Sequence, residues 1–251
     1  MASLDQIVAF LDSELRTAAI PDYPGAVNGL QLANEGRVSR IVAAVDASLP
    51  VIEAVAEGGP GLLIVHHGMF WQGVQPVTGP FYRKLKIAMD AGLAIYSSHL
   101  PLDIHPQYGN NILLAKGLGL ENPEPFLDQK GLLIGLKGDW RGTRVEMSQK
   151  MENFLNGGVH VCPGGPELIS KVGIVTGGAG SEVAKVAAAG IDTFVTGEGP
   201  HWSYPLAEEL GVNVFYGGHY ATETLGVQAL CEIVAKKFQM QWSFYDRPSG
   251  L

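Results

Sequence analysis

The hydrophobic pattern of the chain predicts one helix followed by alternating strands and helices. Ser3 and Gln6 fit a capping box ahead of a stripe of apolar residues at helical spacing: Leu4, Ile7, Val8, Leu11 and Leu15. Short apolar runs rich in β-branched residues then predict strands at 40–46, 61–65 and 93–98, separated by helical patterns at 49–57 and 81–91. This alternation is typical of βαβ units in a mostly parallel sheet that is covered on both faces.

A stretch that contains Pro and Asp, residues 119–131, interrupts the alternation and is the predicted boundary. Beyond it the pattern predicts strands at 132–138, 171–178, 192–198, 212–218 and 241–246, with helices at 144–156, 181–189, 203–210 and 221–237. We therefore predict an α/β protein of two similar-sized, intertwined α/β lobes with mostly parallel mixed sheets. The lobes are assigned to residues 1–125 and 126–251.

Composition and charge narrow the classes of function. The 251 residues carry a formal net charge of −8 with only 17 Lys and Arg, which argues against non-specific binding to nucleic acid. Cys162 and Cys231 form no CxxC spacing, so we expect two buried thiols and no disulfide framework. The N-terminal residues do not resemble a signal peptide, and no apolar run is long enough to span a bilayer. We expect a cytoplasmic protein.

Imidazole and carboxylate side chains follow several of the predicted strands. If the strand at 61–65 stops at Val65, the adjacent His66 and His67 can both face one side. His99 and Asp103, Glu198 and His201, and His219 and Glu223 follow three other strands. The carboxyl ends of parallel strands meet at one edge of a sheet, where such folds bind ligands. The pattern predicts a metal site at these strand ends, between the two lobes.

Each of these residues also has an ordinary structural interpretation. A single histidine after a strand is usually structural, and His219 and Glu223 at helical spacing can form a surface pair. The joint placement of all four pairs favours metal binding. Because the donors are imidazole and carboxylate without thiolate, they suit zinc, iron, manganese or nickel, and the identity of the ion stays open.

Eight motifs carry a resemblance to a known family, in order and over almost the whole chain: AVNGLQ (26–31), VDAS (45–48), IVHHGMFW (64–71), SHLPLD (98–103), GGAGS (177–181), TGEGPH (196–201), GGHYATETLG (217–226) and FYDRPSGL (244–251). In these motifs the chain resembles the NGG1-interacting-factor-three-like family. Many of its members are labelled GTP cyclohydrolase 1 type 2 homologs.

The resemblance implies a dinuclear metal centre in which two divalent ions are held by His66, His67, Asp103, His219 and Glu223. It also implies a homohexamer, a toroid of trimers whose sites face an internal cavity. Some members carry an inserted domain mid-chain, and the short central segment here indicates that this insert is absent. Pro200 and Trp202 flank His201 where many relatives carry other residues, which leaves the role of His201 open.

Two adjacent metal ions would suit a hydrolase that acts on a small nucleotide-like or phosphorylated substrate. His99, Glu198 and His201 are then catalytic candidates, either for proton transfer or for orienting the metal ligands, and a structural role is equally open. The alternative from another class is a non-catalytic metal-binding scaffold, regulator or metal chaperone. In a third interpretation the histidines are structural and the chain binds an organic ligand.

Two further motifs allow two interpretations each. The GGAGS turn lacks the third glycine of a dinucleotide-binding loop, so a tight strand-to-helix turn is favoured over a phosphate cradle. Phe70 and Trp71 lie beside the paired histidines in sequence, where they can stack on a ring or pack against protein.

Overall fold

A computed structural model describes residues 2–251 of the chain, which form two compact units. The first unit consists of residues 2–102 and Gly226–Arg247, and the second of Asp103–Leu225 and Pro248–Leu251. In chain order the elements are α1 (Leu4–Leu15), β1 (Gly29–Leu32), β2 (Ile41–Asp46), α2 (Leu49–Ala56), β3 (Gly61–His67), α3 (Gly79–Asp90), β4 (Leu93–Ser97), α4 (Leu100–Asp103), α5 (Asn110–Leu118), β5 (Glu121–Gln129), β6 (Leu132–Thr143), α6 (Arg144–Leu155), β7 (His160–Pro163), β8 (Leu168–Ile174), α7 (Val183–Ala188), β9 (Thr193–Thr196), α8 (Ser203–Leu210), β10 (Asn213–Tyr216), α9 (His219–Phe238) and β11 (Trp242–Phe244).

The first unit is built on a five-stranded sheet in the order β1-β4-β3-β2-β11. Only the β1–β4 pairing is antiparallel, so the prediction of a mostly parallel sheet is confirmed for this unit. Successive residues of β3 face two separate apolar clusters: Leu62 and Ile64 pack with α1 and α9, whereas Leu63 and Val65 pack with α2. Burial on both faces explains why the strands of this sheet are continuous apolar runs.

Helix α1 begins as the sequence predicts. The Ser3 hydroxyl accepts a hydrogen bond from the Gln6 backbone N–H at 3.3 Å, and the Gln6 side chain accepts one from the Ser3 N–H at 3.0 Å. This capping box pairs two backbone donors that the first turn of a helix otherwise leaves without partners. The buried residues of the helix are Leu4, Ile7, Leu11 and Leu15.

The second unit is built on a six-stranded sheet in the order β5-β6-β8-β9-β10-β7. The β8–β9 and β9–β10 pairings are parallel, whereas the pairings β5–β6, β6–β8 and β10–β7 are antiparallel. This sheet is therefore mixed, with parallel strands only at its centre. The α/β class and the presence of two lobes are confirmed.

Most of the predicted boundary at 119–131 is a strand, which spans residues 121–129. Strand β5 (Glu121–Gln129) includes Pro123 and Pro125 and pairs only with β6. An edge strand tolerates proline because one side of its backbone needs no ladder hydrogen bonds. The pairing is also irregular between Glu121 and Glu124.

The two units accordingly do not divide at residue 125. Helix α5 lies before that position, yet Leu114 and Leu118 pack with Met147 and Val172 in the core of the second unit. From Gly226 onward α9 belongs to the first unit, where β11 pairs with β2. The division between the two units therefore depends on how these segments pack, which local composition does not reveal.

Two expectations from composition can be compared with the structure. Cys162 and Cys231 are both buried free thiols, as expected. Within residues 2–251, no helix combines the length and the hydrophobicity needed to cross a membrane.

Candidate functional site

In the first unit, strand β3 ends in the paired histidines. The strand runs through His66 and His67, so the expectation that it stops at Val65 was wrong. The pairing with β4 ends at Val65 and Ser97, while the pairing with β2 continues to Asp46 and His67. The last two residues are thus paired on one side only, and the two rings lie with centroids 4.7 Å apart although they alternate along a strand.

Both imidazoles are fixed through Nδ1. The Nδ1 of His66, a fully buried residue, lies 2.9 Å from the Ser98 carbonyl oxygen, and the Nδ1 of His67 lies 3.0 Å from Asp46 Oδ1. A carbonyl or a carboxylate only accepts hydrogen bonds, so Nδ1 is the donor in each ring. This tautomer places the lone pair of the neutral imidazole on Nε2, the atom that a metal ion would bind.

His99 is held in the same way by Asp22. Its Nδ1 lies 2.9 Å from Asp22 Oδ1. The carboxylate also accepts hydrogen bonds from the Tyr23 N–H, the Leu100 N–H and the Asn28 side-chain amide at 2.7–2.8 Å. Burial alone would raise the pKa of Asp22, but His99 and the other donors outweigh it and lower the pKa below its usual value. Asp22 therefore stays ionised and fixes the ring.

The ring nitrogens of His66, His67 and His99 form a compact group, which we call the imidazole cluster. One nitrogen from each residue lies within 4.8 Å of the others. Three neutral imidazoles at this spacing can hold a metal ion such as zinc.

Trp71 and Phe70 have different surroundings. The Trp71 ring stands edge-on to His99 and His67, with centroids 4.8 and 5.7 Å away, and 37% of this residue is exposed. Phe70 instead packs against the apolar cluster of α2. Trp71 thus borders the imidazole cluster, whereas Phe70 is a packing residue.

In the second unit, helix α9 begins at His219 and places Glu223 one turn later. Their Nε2 and Oε2 atoms are 3.2 Å apart, and the Nδ1 of His219 lies 2.8 Å from Glu198 Oε1. Burial alone would lower the pKa of His219, but the hydrogen bonds and charges of Glu223 and Glu198 outweigh it and raise the pKa to about 9. A positive charge is thus favoured between these two carboxylates, and a metal ion can supply it in place of the proton.

Asp103 is a second buried carboxylate of this unit. It accepts a hydrogen bond from the Asn110 side-chain amide at 2.8 Å. The Thr176 hydroxyl lies 3.4 Å away and can donate its one proton either to Asp103 or to Asn111 Oδ1 at 3.3 Å. One of its oxygens lies within 4.8 Å of an oxygen of Glu223, whose exposed fraction is 2%. We call Asp103, Glu198 and Glu223, together with His219, the carboxylate cluster.

The GGAGS turn packs against this cluster. Gly177 has φ +70°, and a Cβ added there would clash with Glu223 Oε1. Its carbonyl oxygen accepts hydrogen bonds from the Gly197 N–H at 2.9 Å and the Glu198 N–H at 3.0 Å. The favoured interpretation as a tight turn agrees with this geometry, and glycine is required because the backbone passes so close to a metal-ligand candidate.

The structure separates the three catalytic candidates. His99 belongs to the imidazole cluster, and Glu198 orients His219. His201 is exposed and lines a cavity together with Tyr204. Within its own unit, His201 therefore lines this cavity, which Glu198 also borders.

The profile of one family, Duf34/NIF3 (NGG1p interacting factor 3), matches residues 2–247. The chain belongs to this family. The resemblance seen in the sequence motifs is thereby confirmed.

Relatives of this Duf34/NIF3 chain cover it almost completely. A protein of Deinococcus radiodurans named GTP cyclohydrolase 1 type 2 homolog is 38% identical over 98% of this chain and 94% of its own length. A protein of Pyrococcus abyssi with the same name is 40% identical over 98% of this chain and 99% of its own. The crystal structure of TTHA1606 from Thermus thermophilus matches with a TM-score of 0.91 at 34% identity, over 99% of this chain and 100% of that one.

Two carboxylates that orient histidines of this Duf34/NIF3 protein were not predicted from the sequence, whereas Glu198 was named as a candidate. Asp46, which holds His67, ends strand β2, so the rule that located the histidines at strand ends also points to it. Asp22, which holds His99, lies in an irregular segment far from any predicted strand end, and no sequence signal marks it.

Proposed function

We propose that this chain binds two divalent metal ions through His66, His67, Asp103, His219 and Glu223. The single observation that carries the proposal is the shared arrangement of the histidines. In both units, each imidazole that the sequence nominated as a ligand gives its Nδ1 proton to a carbonyl or carboxylate oxygen, at 2.8–3.0 Å. Metal-binding histidines almost always have such a partner on the other ring nitrogen.

His105 provides an internal contrast. Its Nδ1 accepts hydrogen bonds from the backbone N–H groups of Tyr108 at 3.1 Å and Gln107 at 3.3 Å, so its proton lies on Nε2. Its ring also stacks on that of Tyr108, with centroids 4.8 Å apart. A histidine that caps a turn thus has the opposite tautomer, which shows that the Nδ1-donor arrangement is not a general property of this chain.

The carboxylate ligands support the same proposal through their charge. Asp103 and Glu223 are 7% and 2% exposed, and one oxygen of each lies within 4.8 Å of the other, so two acidic groups are buried close together. Burying ionised carboxylates costs several kcal/mol unless a cation compensates them. A divalent ion would provide that compensation, and its identity among zinc, iron, manganese and nickel is left to measurement.

We further propose that the centre is hydrolytic and acts on a small nucleotide-like or phosphorylated substrate. A pair of divalent ions, when bound, supplies Lewis acidity and lowers the pKa of water toward roughly 7. Asp46 and Glu198 keep His67 and His219 in the ligating tautomer, and Trp71 shields one side of the imidazole cluster from water. The name GTP cyclohydrolase 1 type 2 homolog, carried by relatives, suggests GTP as the first substrate to assay.

The metal proposal is tested by elemental analysis of protein purified with added zinc or manganese. We expect about two ions per chain. A His66→Ala variant should lose metal, whereas His160→Ala, which changes an exposed histidine of the second unit, should not. Substantially less than one ion per chain in the parent protein would refute the dinuclear centre.

Turnover separates the hydrolase from the non-catalytic alternative. Metal-loaded protein is incubated with GTP, other nucleotides, phosphoesters and cyclic amides, and product is measured by chromatography. We expect hydrolysis of at least one class, and its loss in His66→Ala. Full metal content without any turnover would instead favour the metal scaffold or chaperone.

We also propose that the chain assembles as a homohexamer. An exposed apolar segment of the first unit supports assembly: Val74 is fully exposed, and Val77 and Tyr82 are about half exposed. Exposed apolar patches of this kind are typical of protein contacts. Native mass spectrometry should show six copies, and Val74→Asp should shift the distribution toward smaller species. A monomeric parent protein would refute the hexamer.

A further inference from the structure

The second unit contains a cavity that the metal proposal does not use. Its volume is about 670 Å³, within the usual range for small-molecule sites. It is bordered by the carboxyl ends of β9 and β10, the start of β7 and the start of α8. The lining side chains include His160, Glu198, His201, Tyr204 and Tyr216. Glu198 also holds His219, so the cavity begins at the carboxylate cluster.

Three aromatic rings form one side of this cavity. His160 and Tyr216 are direct partners in the antiparallel pairing of β7 with β10, so the register of the sheet places their side chains together. Their ring centroids are 6.1 Å apart with an angle of 30° between the planes. The Tyr204 ring lies 5.7 Å from His160 at 37°. His160 is exposed and both tyrosines are half-buried, so ring surface remains accessible.

The Tyr216 ring is fixed by its hydroxyl group. Ser203 donates its single hydroxyl proton to the Pro200 carbonyl at 2.7 Å and lies 2.8 Å from the Tyr216 hydroxyl. Tyr216 must then be the donor of the second hydrogen bond, because each hydroxyl has one proton. Neither side chain has to reorganise to receive a ring, which reduces the entropy lost on binding.

The charge of the residues that border the cavity indicates which class of ligand fits it. Among the described residues that border the cavity there is no Lys or Arg, and Glu198 is the carboxylate side chain. Glu198 is 42% exposed and its Oε1 is bonded to His219, which leaves Oε2 to accept hydrogen bonds from a ligand. An anionic phosphate is disfavoured here, whereas a planar, uncharged ring with N–H groups matches both the aromatic surface and the carboxylate.

We propose that this cavity binds a planar nitrogen heterocycle of the nucleobase class, stacked on Tyr204 or on the pair of His160 and Tyr216, with its N–H groups directed to Glu198. This inference rests on the proposed function, because it identifies the cavity as the part of the substrate site that holds the ring. Any phosphate of the substrate lies outside the cavity. Tyr204 then contributes binding affinity through stacking.

The test measures binding without requiring turnover. Guanosine, adenosine and inorganic phosphate are titrated into metal-free and metal-loaded protein by isothermal titration calorimetry. We expect at least one nucleoside to bind both forms and phosphate not to bind the metal-free form. Tyr204→Ala should weaken nucleoside binding by roughly tenfold or more, the loss expected for one base–aromatic stack.

Matched variants identify the contact. Tyr204→Phe keeps the ring and should keep the affinity, while Phe154→Ala changes an exposed aromatic ring of the second unit outside the cavity and should have no effect. Circular dichroism verifies that each variant is folded. If neither nucleoside binds at millimolar concentration, or if Tyr204→Ala binds as tightly as the parent, the inference is wrong.

The experiments distinguish an error in the cavity proposal from an error in the metal proposal. Protein that binds metal but no nucleoside refutes only the cavity proposal. If the protein binds nucleoside through Tyr204 but holds no metal, the dinuclear centre is refuted and the cavity proposal still stands.

Discussion

The two units present metal-ligand candidates of opposite character. In the imidazole cluster of the first unit the donors are imidazoles, and two of these rings, His67 and His99, are oriented by the carboxylates Asp46 and Asp22. In the carboxylate cluster of the second unit the buried carboxylate Asp103 is oriented by a neutral group, the Asn110 amide. In the first unit the carboxylates thus only orient histidines, whereas in the second unit they are ligand candidates as well as, through Glu198, an orienting group.

This difference indicates what each cluster needs from a cation. In the first unit, Asp46 and Asp22 already accept hydrogen bonds from the ring nitrogens of His67 and His99. In the carboxylate cluster, Glu223 and Glu198 raise the pKa of His219 to about 9, which favours a positive charge between the two carboxylates. We therefore expect the carboxylate cluster to contribute most of the binding energy and the imidazole cluster to contribute geometry.

The largest effect is expected from neutralising a ligand of the carboxylate cluster. Glu223→Gln keeps the shape of the side chain but removes its charge, so metal bound per chain should fall by half or more on elemental analysis after dialysis. Glu232→Gln is the control, because Glu232 is an exposed residue of the same helix. Unchanged metal content in Glu223→Gln would show that this carboxylate is not a ligand.

The next largest effect is expected at the turn that contacts Glu223. Gly177→Ala adds a Cβ that meets Glu223 Oε1 and also strains a backbone with φ +70°. The free energy of unfolding, measured with urea, should fall by roughly 2–4 kcal/mol, and metal affinity should fall with it.

Gly190→Ala separates the effect of backbone strain from the effect of the close contact with Glu223. Gly190 has a similar φ of +72°, but no atom lies within 4 Å of the position that a Cβ would take there. Only the backbone strain applies at this residue, so the expected loss is about 1 kcal/mol with no change in metal affinity. Equal losses in the two variants would contradict the close contact between Gly177 and Glu223.

A smaller effect is expected from the carboxylates that orient histidines. Asp46→Ala in the first unit and Glu198→Ala in the second each remove the acceptor of an Nδ1 proton. Metal affinity, measured by competition with a chelator, should fall by about 10–100-fold in each. Asp90→Ala, which removes an exposed partner of Lys86, should leave the affinity unchanged. A loss in only one of the two variants would mean that only one unit ligates metal.

The smallest effect is expected at the two capping boxes, one in each unit. Ser3→Ala at α1 and Thr143→Ala at α6 each remove a hydrogen bond to the first turn of a helix. Each should reduce the free energy of unfolding by about 1 kcal/mol without changing metal content. A change in metal content would show that stability and metal binding are coupled through these helices.

Most of the first unit could be predicted from sequence because its elements are strongly periodic and its strands are buried on both faces. The bounds predicted for α2, β2 and β4 lie within two residues of those observed. Prediction failed where tertiary context overrides local preference. Strand β5 contains Pro123 and Pro125, and only its place at the edge of the sheet makes a strand possible.

In the candidate site, too, some features follow from local sequence pattern and others depend on tertiary contacts. The placement of His66, His67, His219 and Glu223 at or just beyond strand ends could be predicted from the sequence, because the carboxyl ends of parallel strands converge at one edge. The GGAGS turn was also interpreted correctly, but its reason, the close approach of Gly177 to Glu223, is a contact between residues 46 positions apart.

The sequence by itself therefore determined the family, the α/β class and the residue types of the candidate metal ligands, since these depend on local pattern and on order along the chain. The tertiary structure alone decided which acceptor fixes each imidazole, that Asp22 orients His99, and that three rings meet around the cavity beside Glu198. Those facts depend on contacts between distant segments, which no local pattern encodes.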